Sequence, residues 1–219
     1  RGHRVVRLVG ERRGDQRSTH FCRRPRCRAS ANRGSFHAGP ADPLGNRADR
    51  KRLFFALNPG PRVRDEGATV QRDCGAEGRA VPRENFHVTL AFLGMQDAAV
   101  IPEVCAVAAS LPFPRCEVTL DRMGWFKRAG VLWLGASEVP PALADFQHRL
   151  VDALLAAKIG YDHKPWKLHL TLYRKLRTWP PNMGTIAVRW RLDGFSLVES
   201  VSVNRGVTYH DLARWKAVS

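Results

Sequence analysis

The sequence predicts an α+β protein of two pseudo-symmetric lobes of antiparallel sheet, with helices on the outside and a cleft between the lobes. Three observations carry this. Phe86-His87-Val88-Thr89-Leu90-Ala91-Phe92-Leu93 returns in near copy as Leu168-His169-Leu170-Thr171-Leu172, 82 residues later. Each copy follows a helix-like segment and a connector. The remaining apolar runs are short and separated by turn residues, as in antiparallel hairpins.

Residues 1–50 hold 13 Arg against 4 acidic residues and show no sustained apolar period. Such a segment buries too little surface to offset its ordering entropy, so it is expected to be a disordered, Arg-rich arm. It reads either as a nucleic-acid-binding tail or, since it opens on Arg1 and draws its basicity from Arg alone, as an over-extended start; the second reading is preferred. A single two-lobed domain is expected over residues 51–219.

That domain opens on residues 51–57, an apolar run closed by Asn58-Pro59-Gly60-Pro61, which reads as a buried strand meeting a turn. Residues 62–78 form a helix with glycines and a thin apolar stripe. Residues 81–85 then connect to the first His strand, 86–93, which Gly94 ends. Pro102 suits the first turn of a helix over 102–110. Residues 116–120, 124–126 and 131–134 follow as strands of antiparallel hairpins, the last two joined by a turn at 127–130. Over 141–158, Leu143, Phe146, Leu150, Leu154 and Ala157 recur at spacings of three and four, Pro141 suits the start and Gly160 follows the end, which makes this the best-defined helix. It leads through 161–167 into the second His strand, and residues 185–192, 194–204 and 207–217 close the chain as strands.

At 219 residues with 44% hydrophobic composition, the chain can fill a sizeable core. Residues 51–219 carry 23 basic and 16 acidic residues, a moderate excess that favours an anionic partner such as nucleic acid. Five cysteines, odd in number and without paired CxxC spacing, argue against both a disulfide framework and a zinc knuckle. No apolar run approaches a membrane span, and the Arg-dense start lacks the apolar core of a secretory signal. A cytoplasmic monomer without a membrane partner is therefore expected.

On an extended chain, alternation puts His87 and Thr89 on one face, with Phe86, Val88, Leu90 and Phe92 on the other; His169 and Thr171 stand likewise against Leu168, Leu170 and Leu172. Each strand thus shows an imidazole beside a hydroxyl. An unperturbed imidazole titrates at roughly 6.5, so one can accept and the other donate a proton near neutrality. Phosphodiester cleavage needs both acts, and each contributes on the order of 10²–10⁴ in rate. The hydroxyls can hold the non-bridging phosphate oxygens. No metal or other cofactor is required. Zinc held by His87, His169 and a third ligand is disfavoured by the absence of HExxH or a Cys/His cluster, and a serine hydrolase by the absence of GxSxG. Lys167 and Tyr173 share the strand face of His169 and are candidates to contact substrate, with Tyr173 able to stack a base. Trp133 reads as core; Trp166 could stack a base but, next to an apolar strand, also reads as core; His163 reads as surface, and His148 and His210 as ordinary helix and tail residues.

With these motifs the chain resembles the 2H phosphoesterase superfamily, marked by two HxT/Sx motifs, and within it the bacterial RNA 2′,3′-cyclic phosphodiesterases, also called 2′-5′ RNA ligase-like proteins. The resemblance runs from Arg52 to the C-terminus through RLFFAL, PRENFHVTLAFLG, VLWLG, HLTLYRK and WRLDGFSLVES. It departs at Leu168, where the family usually has Pro, and at Ala80, where it usually has an aromatic residue. The resemblance implies a terminal 2′,3′-cyclic phosphate on RNA as substrate, tRNA fragments included, opened to a 2′-phosphomonoester. It implies that His87 is the general acid and His169 the general base, that Thr89 and Thr171 hold the phosphate, and that Arg174 adds positive charge to it. Two alternatives stand beside this: a non-catalytic RNA- or nucleotide-binding module, and 2′-5′ ligation as the relevant direction.

Overall fold

The computed structural model describes residues 49–182, 184–204 and 206–218; residues 1–48 of the expected Arg-rich arm lie outside them, while Arg50, expected at its end, already belongs to the first strand. The chain runs β1 (Arg50–Leu57), α1 (Pro61–Asp73), β2 (Arg79–Ala80), β3 (Val88–Asp97), α2 (Ile101–Ala109), β4 (Cys116–Leu120), β5 (Arg122–Phe126) and β6 (Val131–Gly135). It continues through α3 (Pro141–Ala156), β7 (His169–Arg174), β8 (Val188–Leu192), β9 (Gly194–Val203) and β10 (Gly206–Lys216). Among the described residues no helix is long and apolar enough to cross a membrane.

The expected α+β architecture is present. The large sheet has the order β10-β9-β1-β3-β7-β6-β5, with β2 on β7, and all its pairings are antiparallel. It falls into two halves, one ending on β3 and the other on β7. The halves join through one backbone pair, Val88 with Leu170. Each half contains the same β-α-β unit, β1-α1-β3 and β6-α3-β7, which is the structural form of the sequence repeat.

The main core, between this sheet and the helices, takes Leu53, Phe55 and Leu57 of β1, Val88, Leu90 and Leu93 of β3, and Leu170 and Leu172 of β7. From α3 it takes the predicted stripe Leu143, Phe146, Leu150 and Leu154, all fully buried. A second, small cluster of Phe54, Ala56 and Val198, with Phe92 and Tyr209 against it, floors the opposite face beside His87. β1 is thus buried on both faces, which explains its unbroken apolar run.

Two expectations change. Helix α1 stops at Asp73 rather than 78. Gly75 adopts φ of 64°, turning the chain toward β2, a short strand with no sequence signal. The strand at Cys116–Leu120 does not pair with its successor but with β8, as a separate two-stranded ribbon. Asp121 makes the break: its carboxylate accepts from the Ser137 backbone N–H and hydroxyl, and its own N–H donates to the Gly135 carbonyl. β5 and β6 do form the expected hairpin. There Gly124 lies under the Trp133 ring, where a Cβ would come within 2.0 Å of it, so only glycine fits.

Candidate active site

The Val88–Leu170 pair sets the site. Extending this antiparallel register by one residue each way stands His87 across from Thr171 and Thr89 across from His169, and residues directly opposite share a face. Both histidines and both threonines therefore point into one cleft, the histidines on a diagonal.

Each strand then bulges three residues beyond its histidine. Between Phe55↔Ala91 and Ala56↔Thr89, β3 carries Leu90 as an extra residue; between Leu132↔Tyr173 and Trp133↔Thr171, β7 carries Leu172. A bulge resets the alternation that follows it. Phe92, expected on the core side, consequently lies on the cleft side in the small cluster with Phe54, and Arg174 occupies the equivalent place on β7. Tyr173 is turned the other way. Expected beside His169, it packs on the main core and donates its hydroxyl to the Gln71 carbonyl of α1, 2.9 Å away.

The two extra carbonyls are met by two buried glutamine amides. Gln147 of α3 donates to the Leu90 carbonyl at 3.2 Å, and Gln71 of α1 to the Leu172 carbonyl at 2.6 Å and the Val81 carbonyl at 3.0 Å. Each helix thus reaches across to the other half's His strand. The connectors do the same: Trp166 Nε1 donates to the Thr89 carbonyl and Asp162 N to the Phe92 carbonyl, while Val81 N donates to the Leu172 carbonyl. Gln71 and Gln147 were not recognised from sequence. The available signal was a polar residue on a helix's buried stripe, Gln71 after Val63 and Gly67, and Gln147 after Leu143. Gly67 also accounts for the thin stripe of α1, since a Cβ there would already reach the Phe86 ring at 3.4 Å.

The imidazoles are held identically. His87 Nδ1 donates to the Asn85 carbonyl at 2.8 Å and His169 Nδ1 to the Lys167 carbonyl at 2.7 Å. A carbonyl only accepts, so both neutral rings carry hydrogen on Nδ1 and keep a lone pair on Nε2. His87 lies between Phe54 and Tyr209, each with its ring centroid 4.9 Å away; His169 meets the edge of Phe126 at 5.2 Å. Burial, opposed by the Asn85 carbonyl and reinforced by the positive charge of Arg174 and by His169, pushes the His87 imidazolium down to about 4. Burial, with help from Arg174 and Lys167, also lowers His169. Arg174 thus acts on both histidines, although composition and spacing gave it no signal beyond the resemblance.

Each histidine opens onto its own cavity. His87 borders one of about 320 Å³ with polar walls from Asn58, Arg64, Asp211 and Arg214. His169 and Thr89 border one of about 550 Å³ with Phe92, Phe126, Tyr161 and Trp166 in its wall. Lys167 lines the second and lays its ammonium over Trp133, 4.2 Å from the ring centroid. Trp133 is buried as expected; Trp166 is half-buried and shared between core and cavity. His163 is exposed, its ring tilted at 49° against Tyr161, and His148 is exposed on α3. His210, read as a tail residue, borders the His87 cavity. Among the described residues no group of three His, Cys, Asp or Glu side chains is placed to hold a metal ion.

Residues 58–133 match the family described as LigT like phosphoesterase. The RNA 2′,3′-cyclic phosphodiesterase of Thermus thermophilus is 30% identical over 182 residues, 75% of this chain and 89% of the relative. That of Escherichia coli is 27% identical over 175 residues, 77% of this chain and 97% of the relative. Among solved structures, E. coli LigT complexed with 3′-AMP superposes with a TM-score of 0.72 at 25% identity, covering 78% of this chain and 99% of that one. The unliganded E. coli LigT gives 0.70 at 27% identity, with the same coverage.

Proposed function

From the LigT-like phosphoesterase family, to which this chain belongs, and from the paired strands, we infer that the protein is an RNA 2′,3′-cyclic phosphodiesterase. One observation carries the inference: two histidines with the same tautomer lock, each across from the other strand's threonine, face one cleft. A binding module has no use for two Nε2 atoms so prepared.

In the reaction we propose, the cyclic phosphate sits between the histidines, with Thr89 and Thr171 donating to its non-bridging oxygens and Arg174 adding positive charge. His169 Nε2 takes a proton from water as the water oxygen bonds to phosphorus. The bond from phosphorus to the 3′ oxygen breaks, and His87 gives that oxygen its Nε2 proton, leaving a 2′-phosphomonoester. Burial favours the neutral form of His87, so once the phosphate's negative charge has drawn a proton onto it, His87 gives the proton up readily. His169, the less buried, is the base. Ligation is the reverse reaction and uses the same residues.

The aromatic cavity beside His169 suits the terminal nucleoside, with Lys167 at its wall. Tyr173, whose hydroxyl is engaged by α1, has no part in this scheme. We place the enzyme in the cytoplasm as a monomer, its catalytic domain over residues 51–219, acting on RNA fragments with cyclic ends, tRNA pieces included. The test is an end-labelled oligoribonucleotide with a 2′,3′-cyclic phosphate, incubated with the protein in EDTA and resolved into 2′- and 3′-phosphate products. Conversion to the 2′-phosphate is expected. Binding without turnover would return the site to a non-catalytic module, and turnover abolished by EDTA would return it to zinc.

A further inference from the structure

At the far end of β7, two turns are locked together and carry four exposed cations, Lys127, Arg128, Lys175 and Arg177, next to a fifth, Arg174, which ends β7 on the cleft side. Leu176 N donates to the Gly130 carbonyl at 2.9 Å. Gly130 has φ of 60° and lies so close that a Cβ would stand 3.3 Å from the Lys175 Cα and 3.1 Å from the Leu176 carbonyl oxygen, so this close approach needs glycine. Lys175 has φ of 57°, a left-handed conformation that L side chains adopt at a cost. Such strain persists where neighbours fix it. Here they are the Leu176 bond on one side and the Arg79–Arg174 pairing of β2 and β7 on the other.

Among the described residues no carboxylate pairs with these cations. Residues 122–137 and 163–192 contain no Asp or Glu. The ion pairs among the described residues are made by Lys51, Arg62, Arg83, Lys164 and Arg214 instead. The patch is also directed toward the site. Lys127 follows Phe126, whose ring meets His169, and Arg174 acts on both histidines. From His169 to Lys175 is six residues, at most roughly 20 Å, shortened by the bulge at Leu172 and the left-handed turn at Lys175. A single nucleotide seated on His169 does not span that distance, whereas an RNA strand does.

We propose that these two turns are a docking surface for the phosphodiester backbone of the RNA strand on the 5′ side of its cyclic end. The proposal rests on the function inferred above. It assigns the enzyme a substrate longer than a nucleotide, held by charge without sequence readout.

The experiment compares the wild-type protein with a Lys127→Glu, Arg128→Glu, Arg177→Glu triple variant. The substrates are adenosine 2′,3′-cyclic phosphate and an RNA of about ten nucleotides ending in a 2′,3′-cyclic phosphate, each over a range of salt concentrations. On the oligonucleotide the variant's KM is expected to rise about tenfold or more at low salt, with kcat unchanged. Its log–log salt slope should flatten by roughly 2, at about 0.7 for each phosphate no longer neutralised. On the mononucleotide, kcat/KM should stay within about twofold, because only charge remote from the reacting atoms has changed. Equal loss on both substrates would show that the turns merely support the site, and no change on the oligonucleotide would show that RNA does not pass over them; either overturns the proposal. If the wild-type protein turned over neither substrate, the catalytic reading would fail by itself. Fluorescence anisotropy with the same oligonucleotide would then decide the docking surface by whether the variant flattens the salt slope.

Discussion

Replacing Gln147 by Met tests whether the bulge at Leu90 holds the first histidine in place. Methionine keeps the length and helix propensity of glutamine but cannot donate. The Leu90 carbonyl would be left in a buried setting without the amide it now meets at 3.2 Å. An orphaned buried acceptor costs about 1–3 kcal/mol. Taking about 2 kcal/mol, a domain of this size should lose about 4–8 °C in Tm. Gln71→Met removes two bonds: the Leu172 carbonyl keeps its 2.9 Å bond from Val81 N, but the part-buried Val81 carbonyl loses the amide it meets at 3.0 Å. Its stability loss should be comparable to that of Gln147→Met. A merely structural glutamine would lower Tm and leave kcat untouched. A positioning glutamine should also lower kcat for a cyclic mononucleotide, by roughly tenfold to a hundredfold, with little change in KM, since Thr89 and His87 would no longer hold their reach to phosphate. Denaturant midpoints at constant m-value and steady-state kinetics below the melting range measure both. A stability loss at Gln147 with unchanged kcat would refute the reasoning.

The free enzyme should work best on the acid side of pH 6.5. Both imidazolium forms are disfavoured, so the singly protonated pair peaks in kcat/KM below the ordinary histidine range, whereas kcat, taken with anionic phosphate bound, should peak at higher pH. A kcat/KM profile centred above that range would contradict this. Arg174→Gln should move the kcat/KM optimum upward, since the guanidinium lowers both histidines. The same burial makes stability depend on pH. His87 binds its proton less readily folded than unfolded, so its contribution is complete above pH 6.5 and is lost as pH falls toward about 4. The full span is about 3 kcal/mol. Urea unfolding of wild-type and His87→Gln proteins at intervals between those limits should show a shallower slope for the variant; equal slopes would contradict the assignment. Gly124→Ala should destabilise by roughly 1–3 kcal/mol or more, because the new methyl group meets the rigid Trp133 ring, and a Tm within a degree of wild type would show that β5 can move away.

The parts of this protein legible in its sequence are those set by short-range pattern. His87/Thr89 and His169/Thr171 announce themselves by repetition, α3 by its period, and the β5–β6 hairpin by the turn between two apolar runs. What the sequence concealed is set by pairing. Strict alternation put Phe92 in the core and Tyr173 in the cleft, yet the extra residues Leu90 on β3 and Leu172 on β7 reverse both and bring Arg174 to the cleft side, and β3 carries a second extra residue at Leu93. A bulge is a relation between two strands, and neither Leu90 nor Leu172 differs in kind from its neighbours. The pairing of β4 with β8 is hidden for the same reason, with 67 residues between their ends. Gln71 and Gln147 look like polar interruptions of helix stripes until the carbonyls they meet, contributed by the other half of the sheet, are in place.

The central claim is that His87 and His169 act as one pair on one phosphate. Its most direct measurement is kcat/KM on a cyclic-phosphate substrate for His87→Ala, His169→Ala and the double variant. Each single variant is predicted to lose about 10²–10⁴. The double variant should lose much less than the product of the two, because removing either half of a concerted proton relay disables the other. If either single variant kept near-wild-type activity, or if the two losses multiplied in full, the histidines would not be working as a pair and the account would be wrong.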